Sequence, residues 1–372
     1  MKPFIDRRTL KHIDLALLII LFFILICGLT CLYSATHLQN NIAYELIFKK
    51  QLIWICIGII VLFTLSFFNY TSISRYSYLI YFLCIILLVA VIFMGKHVQG
   101  ARRWISIAGF TIQPTEFTKL AIIMCLSKFI SSKFDLSQKN LSYGVTFLAM
   151  AIILIPALLI FIEPDLGSAV VVVLIGFSML VLNKMKLRVL LILILLVGIS
   201  SPLIWGHLKD YQKARIKTFL NPNLDPTGAG YHINQSKIAI GSGEIMGKGF
   251  MKGTQTRLQY LPEHYTDFIF SHLAEEWGFV GSLTLIGLYT LLILRCVNIG
   301  LKSKDLLGYN LSIGTALLFF WHSAINLGMV IGLLPVVGVP LILVSYGGSS
   351  VLTAMASLGL SLNVAMRRFL YR

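Results

Sequence analysis

The chain has 372 residues, of which 57% are hydrophobic and only 12% are charged. A soluble protein needs about twice that share of charged residues to cover its surface, so the composition excludes a soluble globular domain. The formal net charge of +16 is also found in nucleic-acid-binding proteins. In a membrane protein, however, basic residues first report on which side of the bilayer a segment lies. We therefore expect an integral membrane protein with no nucleic-acid partner.

Apolar windows predict ten transmembrane helices, since a helix needs about 20 mainly apolar residues to cross the bilayer. The expected fold is an all-α integral membrane protein in which residues 1–372 form a single polytopic domain. The fourth span is the least apolar because it contains Glu116 and Lys119. The ten spans are predicted near residues 13–36, 52–68, 77–95, 114–131, 143–162, 166–183, 187–206, 268–296, 309–333 and 347–366.

Ten spans place both termini on one side, and the distribution of basic residues indicates that this side is cytoplasmic. The short loops on the opposite side contain only Lys49, Lys50, Lys96, Arg102 and Arg103. Residues 207–266 then form one large extracytoplasmic loop between spans 7 and 8. The basic residues on the cytoplasmic side are Lys2, Arg7, Arg8, Lys11, Arg75, Lys128, Lys133, Lys139, Lys184, Lys186, Arg188, Arg295, Lys302, Lys304, Arg367, Arg368 and Arg372.

The large loop is itself basic, and topology does not explain basic residues on the outer face. Arg215, Lys237 and Lys248 are among them, and they are predicted to bind an anionic ligand or lipid headgroup. Residues 221–228 predict successive turns, whereas residues 231–240 predict a helix on the membrane surface with Ile233, Ile238 and Ile240 as its apolar face. Two glycine-rich stretches at residues 241–243 and 247–249 would let backbone amides approach a phosphate, although such stretches are more often only flexible.

Glu116 and Lys119 lie three residues apart in the fourth span, after Pro114, and so share one helix face. Either charge would cost several kcal/mol if it were unpaired in hydrocarbon. Two interpretations stay open with equal weight. The residues form a structural ion pair that orients helices, or they line a polar cavity with a direct role toward substrate.

Acidic residues also stand where spans begin on the outer side. Asp165 lies in a tight turn before the sixth span, where we expect it to cap the helix or to act as a catalytic carboxylate. Glu163 in the same turn is expected to be solvated. Asp267 lies between the loop and the eighth span, where it predicts a general base or an N-cap. Glu275 and Glu276 predict a groove or a re-entrant segment. No metal site is predicted, because His264 and His272 have no evident third ligand.

A glycine- and serine-rich stretch at residues 346–350 opens the last span. Its backbone amides and Ser349 predict an anion site at a helix N-terminus. A serine-capped helix start with flexible glycines is an equally weighted alternative.

Taken in order, these stretches resemble the SEDS family of bacterial cell-wall polymerases (shape, elongation, division and sporulation), and most closely its elongation-type members. The resemblance covers essentially the whole chain. The segments that carry it are Gly100-Ala-Arg-Arg-Trp104, Gln113-Pro-Thr-Glu-Phe-Thr-Lys-Leu120, Glu163-Pro-Asp-Leu-Gly-Ser168, Asn221-Pro-Asn-Leu-Asp-Pro226, Gly228-Ala-Gly-Tyr-His-Ile-Asn-Gln-Ser-Lys-Ile238, Gly247-Lys-Gly249, Leu261-Pro-Glu-His-Tyr-Thr-Asp-Phe-Ile-Phe270 and Ser345-Tyr-Gly-Gly-Ser-Ser350.

The resemblance implies a peptidoglycan glycosyltransferase of the bacterial cytoplasmic membrane that polymerises lipid II on its extracytoplasmic face. It implies that Asp267 is essential and that Glu116, Lys119 and Asp165 support it. Arg102, in the first of these segments, joins the predicted substrate-binding residues.

A divalent cation, Mg or Mn, is expected to help neutralise the leaving pyrophosphate, and no organic cofactor is expected. The implied partners are a class B penicillin-binding protein, other elongation-complex membrane proteins and membrane lipid. The alternative function is a transporter that flips lipid II across the membrane.

Overall fold

The computed structural model describes residues 12–37, 42–98, 101–107, 110–133, 140–207, 210–221, 228–257 and 265–368. Nearly all of these residues are helical, which confirms the predicted all-α membrane fold. In chain order the helices are α1 (Leu15–His37), α2 (Ile42–Phe67), α3 (Tyr70–Ile73), α4 (Ser77–Met94), α5 (Pro114–Lys133), α6 (Tyr143–Ile162), α7 (Leu166–Leu182), α8 (Leu187–His207), α9 (Asp210–Leu220), α10 (Ala229–Ser242), α11 (Thr254–Arg257), α12 (Ile269–Leu301), α13 (Leu306–Val330) and α14 (Gly348–Arg367).

Each predicted span coincides with one of the long helices. Among the described residues, seven spans are long and apolar enough to cross a membrane by length and composition. They correspond to α1, α2, α4, α6, α12, α13 and α14. Helix α5 falls outside this set because it is less apolar, and α7 because it is shorter. Of α8, only the apolar stretch Leu187–Ser200 is counted, which is also too short. The chain is therefore a multi-pass membrane protein, and the count of ten spans stays a prediction.

The least apolar long helices lie at the centre of the bundle. Helix α5 packs against α4, α6, α7, α13 and α14, and nearly every residue of α14 is buried. The outer helices instead turn large apolar side chains outward, such as Phe93 (75% exposed) and Phe147 (73% exposed). This arrangement follows from the solvent, because hydrocarbon cannot satisfy polar groups and they collect where neighbouring helices can.

A small antiparallel sheet, which the sequence did not predict, precedes α5. Its strands are β1 (Lys96–Val98), β2 (Ala101–Ile107) and β3 (Phe110–Ile112), in the order β1-β2-β3. In β2, Trp104 pairs with Lys96, and Ile105 pairs with Ile112. Because β3 leads directly into Pro114, the sheet brings the arginines of β2 to the start of α5.

The segment between α8 and α12 contains α9, α10 and α11. Of the turns predicted over residues 221–228, residues 222–227 lie outside the described part of the chain. Residues 258–264, which lead toward Asp267, also lie outside it. Helix α10 confirms the predicted helix, and of its predicted apolar face Ile233 is buried while Ile238 is 49% exposed. Ile233, Ser236 and Ala239 are buried, and α10 packs on α12 and α13. Helix α10 thus packs against the bundle through these residues, and its position at the membrane surface stays a prediction.

Helix α12 is broken at Gly278, whose φ of 64° and ψ of −159° are not helical. The glycine-rich turn at residues 243–249 pairs with this break. The amides of Lys248 and Gly249 donate to the carbonyls of Glu275 and Glu276, at 3.0 and 2.9 Å. Gly247 has a φ of +80°, and a Cβ atom there would lie 2.1 Å from the carbonyl oxygen of Glu276. These amides are therefore used in packing against α12 and are not available to a phosphate, contrary to the hypothesis from sequence.

Candidate active site

Four helices begin around one cavity of about 410 Å³. They are α5, α7, α12 and α14, and the residues at their starts form much of its wall. A helix N-terminus carries unpaired amides and a partial positive charge, so four of them favour an anionic ligand. The lining residues are Trp54, Arg103, Trp104, Thr111, Gln113, Glu116, Asp165, Tyr265, Thr266, Asp267, Gly338, Pro340, Tyr346, Gly347, Gly348, Ser349 and Ser350.

The predicted Glu116–Lys119 ion pair is present at the cavity wall. Lys119 is 1% exposed, and its Nζ lies 2.6 Å from Oε1 of Glu116. A second partner, which sequence reasoning missed, is His322 of α13, whose Nε2 lies 3.0 Å from the same Nζ. Oε2 of Glu116 has no hydrogen-bond partner among the described residues. The pair is thus joined to α13 through His322, and Glu116 also lines the cavity, so the structure agrees with both interpretations left open by the sequence.

Asp165 both caps α7 and lines the cavity. Its Oδ1 accepts from the amide of Ser168 at 3.2 Å, as an N-cap does. Its Oδ2 accepts from Nε2 of Gln113 at 3.2 Å, and Nη1 of Arg103 lies 3.9 Å from Oδ1. Arg103 also donates to the carbonyl of Pro164. Asp165 therefore connects α7 to the start of α5 and to strand β2.

Glu163 is not the solvated turn residue that the sequence suggested. It is 2% exposed, and neither carboxyl oxygen has a hydrogen-bond partner in the described part of the chain. Burial raises the pKa of Glu163 to about 8, and the neighbouring Asp165 carboxylate raises it further while Arg103 lowers it. Glu163 lies in the turn that joins α6 to α7, and these two helices pack against each other.

Asp267 is half-buried and lines the cavity, one residue before the N-cap position of α12, which is Phe268. Main-chain contacts hold its segment in place. Nδ2 of Asn326 donates to the carbonyl of Asp267 at 2.9 Å, and Oγ of Ser345 donates to the carbonyl of Thr266 at 2.6 Å. The amide of Tyr346 donates to the carbonyl of Tyr265 at 2.9 Å. Asp267 is thereby fixed against α13 and the start of α14.

The basic residues predicted from the large loop do not line this cavity. Nζ of Lys248 lies 2.6 Å from Oε1 of the fully buried Glu275 and donates to Oγ1 of Thr254 at 2.8 Å. Lys237 is exposed on α10, and Arg215 is half-buried on α9. None of the three is among the residues that line the cavity, and their role toward substrate stays a prediction.

Among the described arginines, the cation in the cavity is Arg103 of β2. The sequence had favoured Arg102, which lies in the same strand but whose side chain is outside the described part of the structure.

Ser349 lines the cavity, and its hydroxyl accepts from the amide of Gln113 at 3.0 Å. The start of α14 is thereby joined to the start of α5. Nε2 of Gln51 donates to the carbonyl of Ser345 at 3.2 Å, and its Oε1 accepts from the amide of Gly347 at 3.2 Å, which fixes the turn before α14.

Glu276 lines a second, apolar groove of about 480 Å³ beside α1, with Cys27, Thr30 and Phe250 among its other lining residues. Of the predicted groove or re-entrant segment, the structure shows a groove lined by Glu276 but not by Glu275, and a break in α12 at Gly278. In the part of the chain that the structure describes, no group of three or more His, Cys, Asp or Glu side chains is arranged to hold a metal ion.

Comparison with known proteins identifies the family. Residues 15–369 match the sequence model of the FtsW, RodA and SpoVE family, described as cell cycle protein. The chain belongs to this family. The peptidoglycan glycosyltransferase MrdB of Escherichia coli K12 is 38% identical over 368 residues, which cover 99% of this chain and 96% of MrdB. The resemblance drawn from the sequence is thus confirmed.

Two solved members of the FtsW, RodA and SpoVE family share the fold. A chain of a peptidoglycan synthase complex that coordinates polymerization and crosslinking superposes with a TM-score of 0.81 and 28% identity, covering 96% of this chain and 98% of that chain. The Thermus thermophilus rod shape-determining protein RodA superposes with a TM-score of 0.71 and 26% identity, with the same coverage.

Proposed function

We propose that the cavity between the starts of α5, α7, α12 and α14 is the site at which this chain, a peptidoglycan glycosyltransferase, joins lipid II into glycan strands during cell-wall elongation. Lipid II is a disaccharide-pentapeptide on undecaprenyl pyrophosphate. The observation that carries the proposal is that Asp267, Glu116, Asp165 and Arg103 all line one cavity. They belong to four separate segments of the chain, and the packing of these segments brings them together.

Asp267 is the proposed general base. The 4-hydroxyl of the acceptor sugar must lose its proton as it attacks the anomeric carbon of the donor, and a positioned carboxylate accelerates such a step. An α-linked pyrophosphate that gives a β-linked strand requires inversion. One displacement achieves this without a covalent glycosyl-enzyme, as in inverting glycosidases. The three main-chain hydrogen bonds around Asp267 support the precise placement that a base needs.

Arg103 and the start of α14 are the proposed site for the departing pyrophosphate. Arg103 lines the cavity with its side chain 24% exposed, so its guanidinium group is accessible to a ligand there. Gly347, Gly348 and Ser349 place the positive end of α14 at the same cavity. Preorganised donors aimed at developing negative charge are commonly the largest contribution to such reactions.

A divalent cation, Mg or Mn, fits this cavity only together with the substrate. The cavity offers carboxylate oxygens from Asp267, Glu116 and Asp165, but the described residues contain no cluster that would hold a metal by itself. Mg²⁺ commonly binds one or two carboxylates plus phosphate oxygens and water. When bound, the cation would neutralise charge on the pyrophosphate. No organic cofactor is part of the proposal.

The proposed location is the bacterial cytoplasmic membrane, with both termini cytoplasmic and the cavity on the extracytoplasmic side. The basic residues of the short loops support this orientation. A class B penicillin-binding protein is the proposed partner, because the similar solved chain belongs to a complex that coordinates polymerization with crosslinking. Other elongation-complex proteins and membrane lipid complete the proposed surroundings.

The test is polymerisation of labelled lipid II by the purified chain, with and without its transpeptidase partner. Asp267→Asn should lower polymerisation at least 100-fold while expression and membrane insertion are unchanged. The matched control is Asp305→Asn, which alters the N-cap of α13, where Oδ1 of Asp305 accepts from the amide of Gly308 at 2.7 Å. Asp305→Asn should retain activity per folded molecule. Wild-type polymerisation by Asp267→Asn would disprove the site, and movement of lipid II across liposomes without polymerisation would favour a transporter.

A further inference from the structure

Two buried polar side chains on one face of α13 connect the groups that the proposed reaction uses. His322 and Asn326 are four residues apart, and neither is more than 1% exposed. His322 contacts Lys119, which is paired with Glu116, and Asn326 contacts the main chain of Asp267. Neither residue lines the cavity.

The hydrogen-bond roles of His322 follow from its partners. A lysine ammonium group only donates, so Nε2 of His322 accepts from Nζ of Lys119 at 3.0 Å. The ring proton is then on Nδ1, which faces the carbonyl of Pro340 at 3.4 Å. The ring therefore joins the ion pair in α5 to the segment that follows α13, and Pro340 lines the cavity.

Asn326 makes the corresponding connection one turn further along α13. Its Nδ2 donates to the carbonyl of Asp267 at 2.9 Å and to the carbonyl of Val339 at 2.8 Å. Val339 and Pro340 are consecutive, so His322 and Asn326 hold the same short segment from the same helix face. Next to it, a Cβ atom on Gly338 would lie 3.5 Å from Oδ2 of Asp267, which shows how close this segment comes to the carboxylate.

We propose that His322 and Asn326 are positioning residues, which set the distance between the Glu116–Lys119 pair and Asp267 through the shared contact at Val339 and Pro340. The inference rests on the proposed function of the cavity. Asp267 is only half-buried and α12 is broken at Gly278, so its own helix does not fix it alone. Misplacement of a reacting group by about 1 Å commonly costs about 100-fold in rate, which makes such a brace consequential.

The experiment compares variants that keep or remove a single contact. His322→Phe fills the same space but neither accepts from Lys119 nor donates to Pro340. His322→Gln retains an acceptor toward Lys119. The control is Thr315→Val, which removes a hydroxyl that joins α13 to the carbonyl of Ser357 in α14 at 3.1 Å, away from the cavity. Turnover and KM for lipid II are measured per folded molecule, together with the melting temperature.

We expect His322→Phe to lower kcat at least tenfold with KM within twofold, and His322→Gln to stay within threefold of wild type. Asn326→Leu should behave as His322→Phe does, which keeps the test decisive if one variant does not fold. Thr315→Val should lower the melting temperature without changing kcat more than twofold. A kcat of His322→Phe within twofold of wild type, or equal losses in His322→Phe and His322→Gln, would overturn the inference. Polymerisation by Asp267→Asn, measured alongside, reports separately whether the proposed site itself is wrong.

Discussion

Removing both members of the Glu116–Lys119 pair should cost no more stability than removing Lys119 alone. The two side chains are 3% and 1% exposed, and their charged atoms are 2.6 Å apart. Lys119→Met leaves a buried carboxylate unpaired, which commonly destabilises a protein by about 3–5 kcal/mol. Glu116→Gln leaves the ammonium group with His322 and an amide oxygen as acceptors, so the loss should be smaller, about 1–3 kcal/mol.

The double variant Glu116→Gln/Lys119→Met contains neither charge and should lose no more than the worse single variant. The double-mutant cycle should therefore give a coupling free energy of about 2 kcal/mol or more. The assay is equilibrium unfolding in lipid-detergent micelles, with lipid II polymerisation measured on the same samples. A comparison cycle on Asp14 and Arg295, whose Arg side chain is 31% exposed, should give a smaller coupling because solvent screens the pair.

Exchanging the two charges in Glu116→Lys/Lys119→Glu should restore only part of the stability that the single variants lose relative to wild type. The carboxylate introduced at position 119 would face Nε2 of His322, which accepts a hydrogen bond in the native chain. The proton of the His322 ring would have to move to Nε2, which would leave two acceptors, Nδ1 and the carbonyl oxygen of Pro340, facing each other.

In the double-mutant cycle on Glu116→Gln and Lys119→Met, losses of stability that add within about 0.5 kcal/mol would show that the ion pair does not hold the two residues together.

Three further outcomes are expected. Arg103→Gln should lower turnover of lipid II about 10- to 1000-fold with little loss of stability, because it removes one preorganised hydrogen-bond donor. Extra Mg²⁺ should restore part of the lost turnover. Unchanged turnover would show that Arg103 does not belong to the site. Lys248→Met should instead mainly lower thermal stability, because it leaves the fully buried carboxylate of Glu275 without its ion-pair partner. If turnover per folded molecule were as low as in Arg103→Gln, Lys248 would have a role in the reaction and not only in stability. Glu163 has a folded pKa of about 8, raised above its unfolded value, so the folded state retains a proton that the unfolded state has lost. Wild-type stability should accordingly fall as the pH rises from about 5 to 8, by a few kcal/mol, and Glu163→Gln should remove that slope in melting curves; parallel curves would refute it.

Periodicity and composition were enough to locate every long helix. The apolar windows near residues 13–36 and 143–162 coincide with α1 and α6 within about two residues. This succeeds because the bilayer imposes the same requirement on every span, a continuous apolar helix of fixed length. The unusual residues within that pattern, Glu116, Lys119 and Asp165, were equally visible, since a charge in an apolar segment needs a specific reason.

Which of the polar residues meet was decided by the tertiary structure. His322 and Asn326 are unremarkable in sequence, and they matter only because α13 packs between α5 and the start of α12. The contact of Lys248 with Glu275 likewise arises only in the folded chain, because these residues lie 27 positions apart. Arg103 and Arg102 are adjacent and chemically identical, and only the folded chain shows that Arg103 lines the cavity. A single sequence records residue types along one dimension, whereas these contacts depend on the packing of segments up to about 200 positions apart.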